Sequence, residues 1–550
     1  MKQKIISKPE RLASKFGPAP IQIGLKDMYE KISWARQTNP KGYEIKNITA
    51  FKVQKHGMSP KEAISFGIEL ENGMIIQQAG VMGGISAGVA EPGTHASIQD
   101  AIDFFNANVK EKMIGLNVTD PKSITNKIIE IDEQHKATAT NQDKPSFSYI
   151  GSEISIGLSM ITTAAFAERL GVPTEVVINY LYNEHTMTNG LSNEIRPMSI
   201  PVNLSVVYEG GAHGATQTLQ ELIDAKIIKD ASLFPKRFLN PITKKDRLPM
   251  VPPQETQVMV YTETWKEAHD LGIKLTTVYQ NILKENGIDY IFGAESGCTT
   301  KQVRTHNGDL INQELVLDLL NKAVDALGED ANKIMYALDI ASSEIYISEL
   351  DMYYIGPSSA GNDSGLVTNA EFTTYKLNLF NQFPRFISVE DWAVEDKIEH
   401  WQDAKAIMPN MIQMGDDNTV SNAFYINKFK DVINAHLQKP NQSGEQEAMF
   451  EAVGTSHQNG NISIFSHRGT RPELETYTAL AAIGMGGFGG KWTLYGPGRG
   501  GLIAAMNQVE AQYADMPNVK IPYQGGVVLQ NDGPYNEVGW AQVVRAHVNP

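Results

Sequence analysis

The sequence predicts an α/β protein: an N-terminal α+β meander domain followed by a β/α barrel. Three observations carry that expectation. Residues 48–53 and 63–70 alternate apolar and polar positions. They lead into Glu71-Asn72-Gly73, a hairpin signal, because Asn-Gly accepts the positive φ values of a type I′ turn. Farther on, three short apolar runs each end in an acid: Ile334 to Asp339, Phe386 to Glu390, and Met411 to Asp416. These acids are 51 and 26 residues apart, and one strand, helix and loop of a β/α unit takes roughly 25–35 residues. The pattern is that of nearby parallel strands delivering carboxylates to the C-terminal mouth of a barrel. Three hard oxygen ligands converging there suit Mg²⁺.

Taken in order, residues 1–45 are polar and contain Pro9, Pro18, Pro20 and Pro40. They read as an extension that wraps another surface or a partner subunit. The meander domain is assigned to residues 46–195. Its hairpin is followed by a Gly-rich loop, residues 83–91, of the kind that lets backbone approach a ligand. Residues 98–108 and 123–131 read as helices. Residues 154–170 read as a longer apolar helix stopped by Gly171 and Pro173. That run is too short and too rich in Ser and Thr to span a bilayer. The barrel is assigned to residues 196–514, with 198–207 as its first strand. Residues 225–257 interrupt it with prolines and the basic residues Lys226, Lys229, Lys236, Arg237, Lys244, Lys245 and Arg247. They read as an insertion: a solvated surface excursion, or else a subunit contact or lid. Residues 262–286 are helical in pattern, 503–513 form a last helix, and 515–550 form a C-terminal tail.

Bulk properties bound the function. A chain of 550 residues favours more than one domain. A net charge of −15 argues against a general nucleic-acid binder, which needs a basic face, yet leaves room for a local cationic pocket. The single cysteine, Cys298, excludes an intrachain disulfide and favours the cytoplasm. It reads as a packing residue, since no base stands near it in sequence. The first residues carry charge with no apolar segment behind them, so no signal peptide is expected.

Several blocks resemble the enolase (phosphopyruvate hydratase) family. They are Ala-Leu-Asp339-Ile-Ala-Ser-Ser-Glu-Ile-Tyr, Ile-Ser-Val-Glu390-Asp, Gly-Asp416-Asp-Asn-Thr-Val-Ser-Asn and Ser-His467-Arg468. They stand in the family's order and close to its spacing. Gly210-Gly211-Ala212-His213 and Gln220-Glu221 resemble the family's Gly-Gly-Ser-His and Gln-Glu pairs. The strand ending in Glu295-Ser-Gly resembles Glu-Gly-Gly, and Leu-Gln-Lys439-Pro-Asn-Gln-Ser-Gly resembles Leu-Lys-Val-Asn-Gln-Ile-Gly. The likeness covers residues 46–513 and implies an enolase-type β/α barrel behind the meander domain.

It also implies roles. Asp339, Glu390 and Asp416 would hold Mg²⁺, with Ser86 of the Gly-rich loop joining a second ion. Lys439 would be the general base, and Glu295 with Glu221 would protonate the departing hydroxyl. A lysine base needs a lowered pKa, which a neighbouring cation and partial desolvation supply. His213, His467, Arg468 and Lys491 would bind the substrate's carboxylate or phosphate. Thr470 stands where the family has a phosphate-holding serine. The implied partners are a small phosphorylated carboxylate and a second copy of the chain as a homodimer or higher oligomer, with no nucleic acid or membrane.

Three functions stay open. The first is interconversion of 2-phosphoglycerate and phosphoenolpyruvate. The second is elimination from another carboxylate, such as a phosphonate analogue or an amino acid. This one draws on three departures: Ser-Ala at residues 86–87, Gly469-Thr470, and the surroundings of Lys491. The third is a non-catalytic protein on an enolase scaffold.

Overall fold

The computed structural model describes residues 25–55, 61–81, 91–243, 246–293, 295–409, 411–466, 472–493, 500–514, 516, 519 and 521–526. Ser86, His467, Arg468 and Thr470 lie outside the described residues.

The meander is present. Strands Ile45–Lys55, Lys61–Leu70 and Ile75–Val81 form an antiparallel sheet in sequence order. The hairpin differs in detail from a type I′ turn. Only Gly73 takes a positive φ (84°), Gly73 N–H closes on the Leu70 carbonyl at 2.8 Å, and Leu70 N–H bonds the Met74 carbonyl at 2.9 Å. That is a type I turn finished by a glycine bulge, which leaves Asn72 unstrained. One face of the sheet buries Ile48, Ile64, Phe66 and Ile68. Phe66 meets Phe105 of helix Ile98–Asn108 edge-on, ring centres 5.3 Å apart. It also sits where a Cβ on Gly157 would be, so helix Ser152–Leu170 packs directly on that ring.

The N-terminal segment is part of this domain as far as it is described. Helix Lys26–Thr38 buries Tyr29, Ile32 and Ala35, and the Tyr29 hydroxyl donates to Asn179 of helix Thr174–Thr188. The domain therefore includes residues 25–45, ahead of residue 46.

Helix Ser152–Leu170 joins the two domains. Its Ser and Thr residues form a polar stripe against the barrel. Ser159 donates to Glu445 at 2.8 Å, Thr163 to Gln446 at 2.8 Å, and Ser155 to the Gly444 carbonyl. Thr125 adds a further bond to Glu445 at 2.9 Å. Buried polar groups need partners, and this stripe supplies them for a buried acid. Among the described residues no helix is long and apolar enough to cross a membrane.

Eight strands close into a barrel: Val202–Glu209, Glu255–Val260, Ile334–Asp339, Phe386–Glu390, Ile412–Gly415, Ala435–Gln438, Ile462–Ser466 and Gly489–Lys491. The last pairs with the first, Lys491 opposite Leu204. Counted in this order, strands three to eight and strand one run parallel, and the second runs antiparallel to both its neighbours. A strand therefore occupies residues 255–260, so the insertion lies wholly between residues 209 and 255.

The insertion is more than a solvated excursion. Leu219, Leu222, Ile228, Phe234, Phe238 and Leu248 pack with Ile347, Tyr354 and Leu366 into a second, smaller hydrophobic core. Phe234 lies edge-on to Phe238 and Tyr354, at 5.7 and 6.2 Å. At the other end, Tyr523 donates to the Val260 carbonyl at 2.8 Å and Gln524 N–H bonds Ile200 at 2.8 Å. The barrel domain thus reaches residue 526 instead of stopping at 514.

Candidate active site

Backbone register builds the site. Glu209 pairs with Glu255, Glu255 with Asp339, and Asp339 with Glu390, across four adjacent strands. Register partners point to the same face of a sheet, so four carboxylates stand in a row along the barrel mouth, each buried. On the fifth strand Met414 is the partner of Glu390, and Asp416 follows two residues later. The three predicted strand-end acids are therefore neighbours, as the 334–416 spacing suggested. The loops after them are tightly folded: Ala341, Asp391, Val420 and Ser421 all take positive φ. Such conformations are costly for residues with a Cβ and are held where the surroundings demand them.

Cations cross-link the row. Lys491 Nζ lies 2.7 Å from Asp339, 2.8 Å from both oxygens of Glu390 and 3.2 Å from Glu255. Lys439 Nζ bonds the Asp416 carboxylate. His213 Nδ1 is 3.0 Å from Glu255. Burial opposes charge on both lysines, yet the facing carboxylates outweigh it and raise each lysine above its ordinary range. Burial also opposes charge on His213, but the Glu255 hydrogen bond and the surrounding acids lift it to about 9. Glu255 is buried too, yet Lys491 and His213 hold it down to about 2. Asp339 and Glu390 go the other way. Burial first, then the mutual repulsion of the acids, raises both despite Lys491.

These directions test whether a divalent cation fits. The donors are all carboxylate oxygens, and they carry more negative charge than the cations reaching them offset. Burial followed by the adjacent Asp416 pushes Asp417 up to about 7. Asp391, Asp416 and Asp417 each bring one oxygen within 4.8 Å of the others, so Asp416 is shared between the predicted ligand set and this second group. Asp391 also accepts the backbone N–H of Asp416 at 2.9 Å and of Asp417 at 3.2 Å, which shapes the loop. A hard, over-acidic oxygen cluster of this kind fits Mg²⁺.

Glu221 does not join the cluster. Its side chain is 55% exposed, completes a capping box with Thr218, and lies 3.4 Å from Arg247. The residue that follows a glutamine and faces the mouth is Glu255, preceded by Gln254. Gln254 itself reaches Asp339 at 3.5 Å. Sequence reading placed this second Gln-Glu pair inside the insertion. The signal was there: Gln254-Glu255 opens a run rich in β-formers, Thr256 to Tyr261. Glu209, which ends Leu-Ser-Val-Val-Tyr, was also passed over. Glu295 is partly buried in a loop whose backbone is bonded to Glu209, and its charge acts on Glu209, His213 and Glu255. Cys298 is buried and its thiol is pushed up to about 12, chiefly by burial, so it is a packing residue and not a nucleophile.

Residues 254–526 match the family model of the enolase C-terminal TIM barrel domain. That match covers just under half of the chain and supports membership of the enolase superfamily. The match opens at the Gln254-Glu255 pair and runs through the Tyr523 contact, the same two corrections that the strand pairing makes. In enolase-superfamily terms the acids occupy strands three, four and five, Lys439 follows strand six, and Lys491 closes strand eight.

Proposed function

We propose that the protein is a Mg²⁺-dependent hydro-lyase that interconverts 2-phosphoglycerate and phosphoenolpyruvate, the enolase step of glycolysis. The family match supports an enolase-superfamily lyase, and one observation carries the reading further. Lys439 after strand six and Glu295, whose charge acts on Glu255 of strand two, lie on opposite sides of the mouth, with Asp339, Glu390 and Asp416 at the ends of the strands between. A base and an acid on opposite sides of a bound carboxylate are what α-proton removal with loss of a β-hydroxyl requires.

In this reading Lys439 takes the α-proton at Nζ. As it stands, Asp416 holds that ammonium charged, so the lysine serves as a base once the negative charge around it is offset. Asp339, Glu390 and Asp416 would hold Mg²⁺, which when bound would supply that offset and stabilise negative charge on the substrate carboxylate. Glu295 takes the acid side, where the hydroxyl leaves, and the ionised Glu255 beside it holds His213 and Lys491 in place. His213, held charged by Glu255, and Lys491 orient the substrate's anionic groups. Arg468 and His467 are assigned to phosphate, with Thr470 beside them, and Ser86 to a second ion, on resemblance alone.

A second reading is elimination of ammonia from an amino acid. It is favoured by the concentration of Glu209, Glu255 and Glu295 at strands one and two, which suits a cationic substrate group. Both readings take the protein to be a cytoplasmic homodimer, checked by sedimentation.

The test is the ultraviolet absorbance of phosphoenolpyruvate formed from 2-phosphoglycerate with Mg²⁺, with and without EDTA. Turnover that EDTA abolishes, and that Lys439→Ala lowers by about 10³-fold or more along with α-proton exchange into deuterated water, is expected. A folded, Mg²⁺-binding protein that leaves 2-phosphoglycerate untouched rejects this substrate and moves the assignment to amino acids.

A further inference from the structure

Glu209 lies in the mouth yet touches neither lysine of the site. It is fully buried at the end of the first barrel strand. One oxygen, Oε1, accepts the backbone N–H of Glu295 at 2.9 Å and of Gly297 at 2.7 Å. The other, Oε2, has no hydrogen-bond partner among the described residues. The receiving loop is shaped to that carboxylate. A Cβ at Gly293 would collide with it, and one at Gly297 would come within 3.0 Å of the Glu209 side chain. Gly293 N–H bonds the Gly297 carbonyl at 2.9 Å, and Ser296 takes φ 69° to close the turn. Thr493, two residues past Lys491, donates to the Glu295 carbonyl. The peptide groups on both sides of Glu295 are thus gripped, one from strand one and one from beyond strand eight.

We propose that Glu209 is a positioning residue: its carboxyl clamps the Gly293–Gly297 loop and so aims Glu295 at the mouth. The proposal rests on the assignment of Glu295 to the acid side. Its geometric ground is the pair of backbone N–H groups held by one carboxyl oxygen. The titratable groups facing Glu209 are Glu295 on the loop, Glu255 on the adjoining strand, His213 on the following turn, and Cys298 beyond the loop. Burial first and Glu295 second push Glu209 itself up to about 8, the behaviour expected of two acids sharing one site.

Two substitutions test the clamp. Glu209→Gln keeps an acceptor for both N–H groups. Glu209→Ala removes it. Backbone hydrogen exchange at Glu295 and Gly297 should accelerate about 100-fold in Glu209→Ala and stay slow in Glu209→Gln. Turnover should fall about 100-fold in the alanine variant with KM nearly unchanged. The glutamine variant should recover most of that turnover, because its amide oxygen still accepts both N–H groups. Unchanged exchange in Glu209→Ala overturns the clamp, and so does a glutamine variant as impaired in exchange protection and turnover as the alanine variant. Lost protection in Glu209→Ala, together with a wild-type protein that turns over no carboxylate, rejects the proposed reaction and leaves the clamp standing.

Discussion

Lys491 shares one positive charge among Glu255, Asp339 and Glu390, while 7% exposed. Removing one partner of such a buried group leaves the rest uncompensated, at a cost of about 3–5 kcal/mol. That makes Glu255 a residue with two duties, holding Lys491 and His213 at once. Glu221 has neither. Glu255→Gln should therefore lower turnover about 100-fold or more, whereas Glu221→Gln should leave it within about two-fold. Steady-state kinetics on the two variants decides between the two Gln-Glu pairs. A larger loss for Glu221→Gln would restore the sequence-based assignment. The reason sequence reading singled out Glu221 and not Glu255 is physical. Asp339, Glu390 and the residues just before Asp416 end parallel strands, so an apolar run closing on an acid announces them. Glu255 belongs to the one antiparallel strand, where the mouth lies at the beginning, and its carboxylate precedes the apolar run instead of ending it.

At the scale of elements, the meander, the interdomain helix and the acid strands were all legible, because each carries its own periodicity or terminator. The helix Ser152–Leu170 ends where Gly171 takes φ 67°, as the Gly-Val-Pro stop indicates. The insertion was not legible as a folded unit. Three of the ten buried residues of its small core come from residues 347–366, and no local pattern in 210–254 reveals partners that distant. Its independence makes a prediction. Phe234→Ala removes a buried ring from that core, a loss of about 3–5 kcal/mol. Limited proteolysis should then cut within residues 214–253 much faster, while the thermal unfolding of the barrel changes little. A matching drop in barrel melting without selective cleavage would show that the two cores are one cooperative unit.

At the scale of the whole molecule, the domains meet at His457 as well as at the Glu445 stripe, with the buried His436 behind it. His436, on the outer side of strand six, bonds Ser456 at 2.8 Å, and His457 on the same helix as Ser456 bonds Tyr182 of the N-terminal domain at 2.8 Å. Burial drives His436 down to about 4 and His457 well below its ordinary value. Such a group is neutral in the folded state and takes a proton in the unfolded state near 6.5. Above that pH it contributes no pH dependence. As pH falls from 6.5 toward 4, the unfolded state binds the extra proton and stability is lost, by as much as about 3 kcal/mol for His436. The melting temperature should fall across that window, and His436→Gln should flatten the slope. An equally steep acid limb in the variant would place the sensitivity elsewhere.

The antiparallel second strand has one more effect. Strand one ends at the mouth and strand two begins there, with Glu209 and Glu255 as register partners. The chain between them leaves and re-enters the barrel at the same rim, whereas every α-helical crossover must return along the outside to the opposite end. Residues added at this hairpin accumulate over the opening and nowhere else, and their number is not limited by barrel closure. The opening can therefore be lengthened, narrowed or re-tailored at this point with Glu209, Glu255, Asp339, Glu390 and the two lysines left in register, which makes the 210–254 connection the place where a lineage of such barrels can change what it admits at least structural risk.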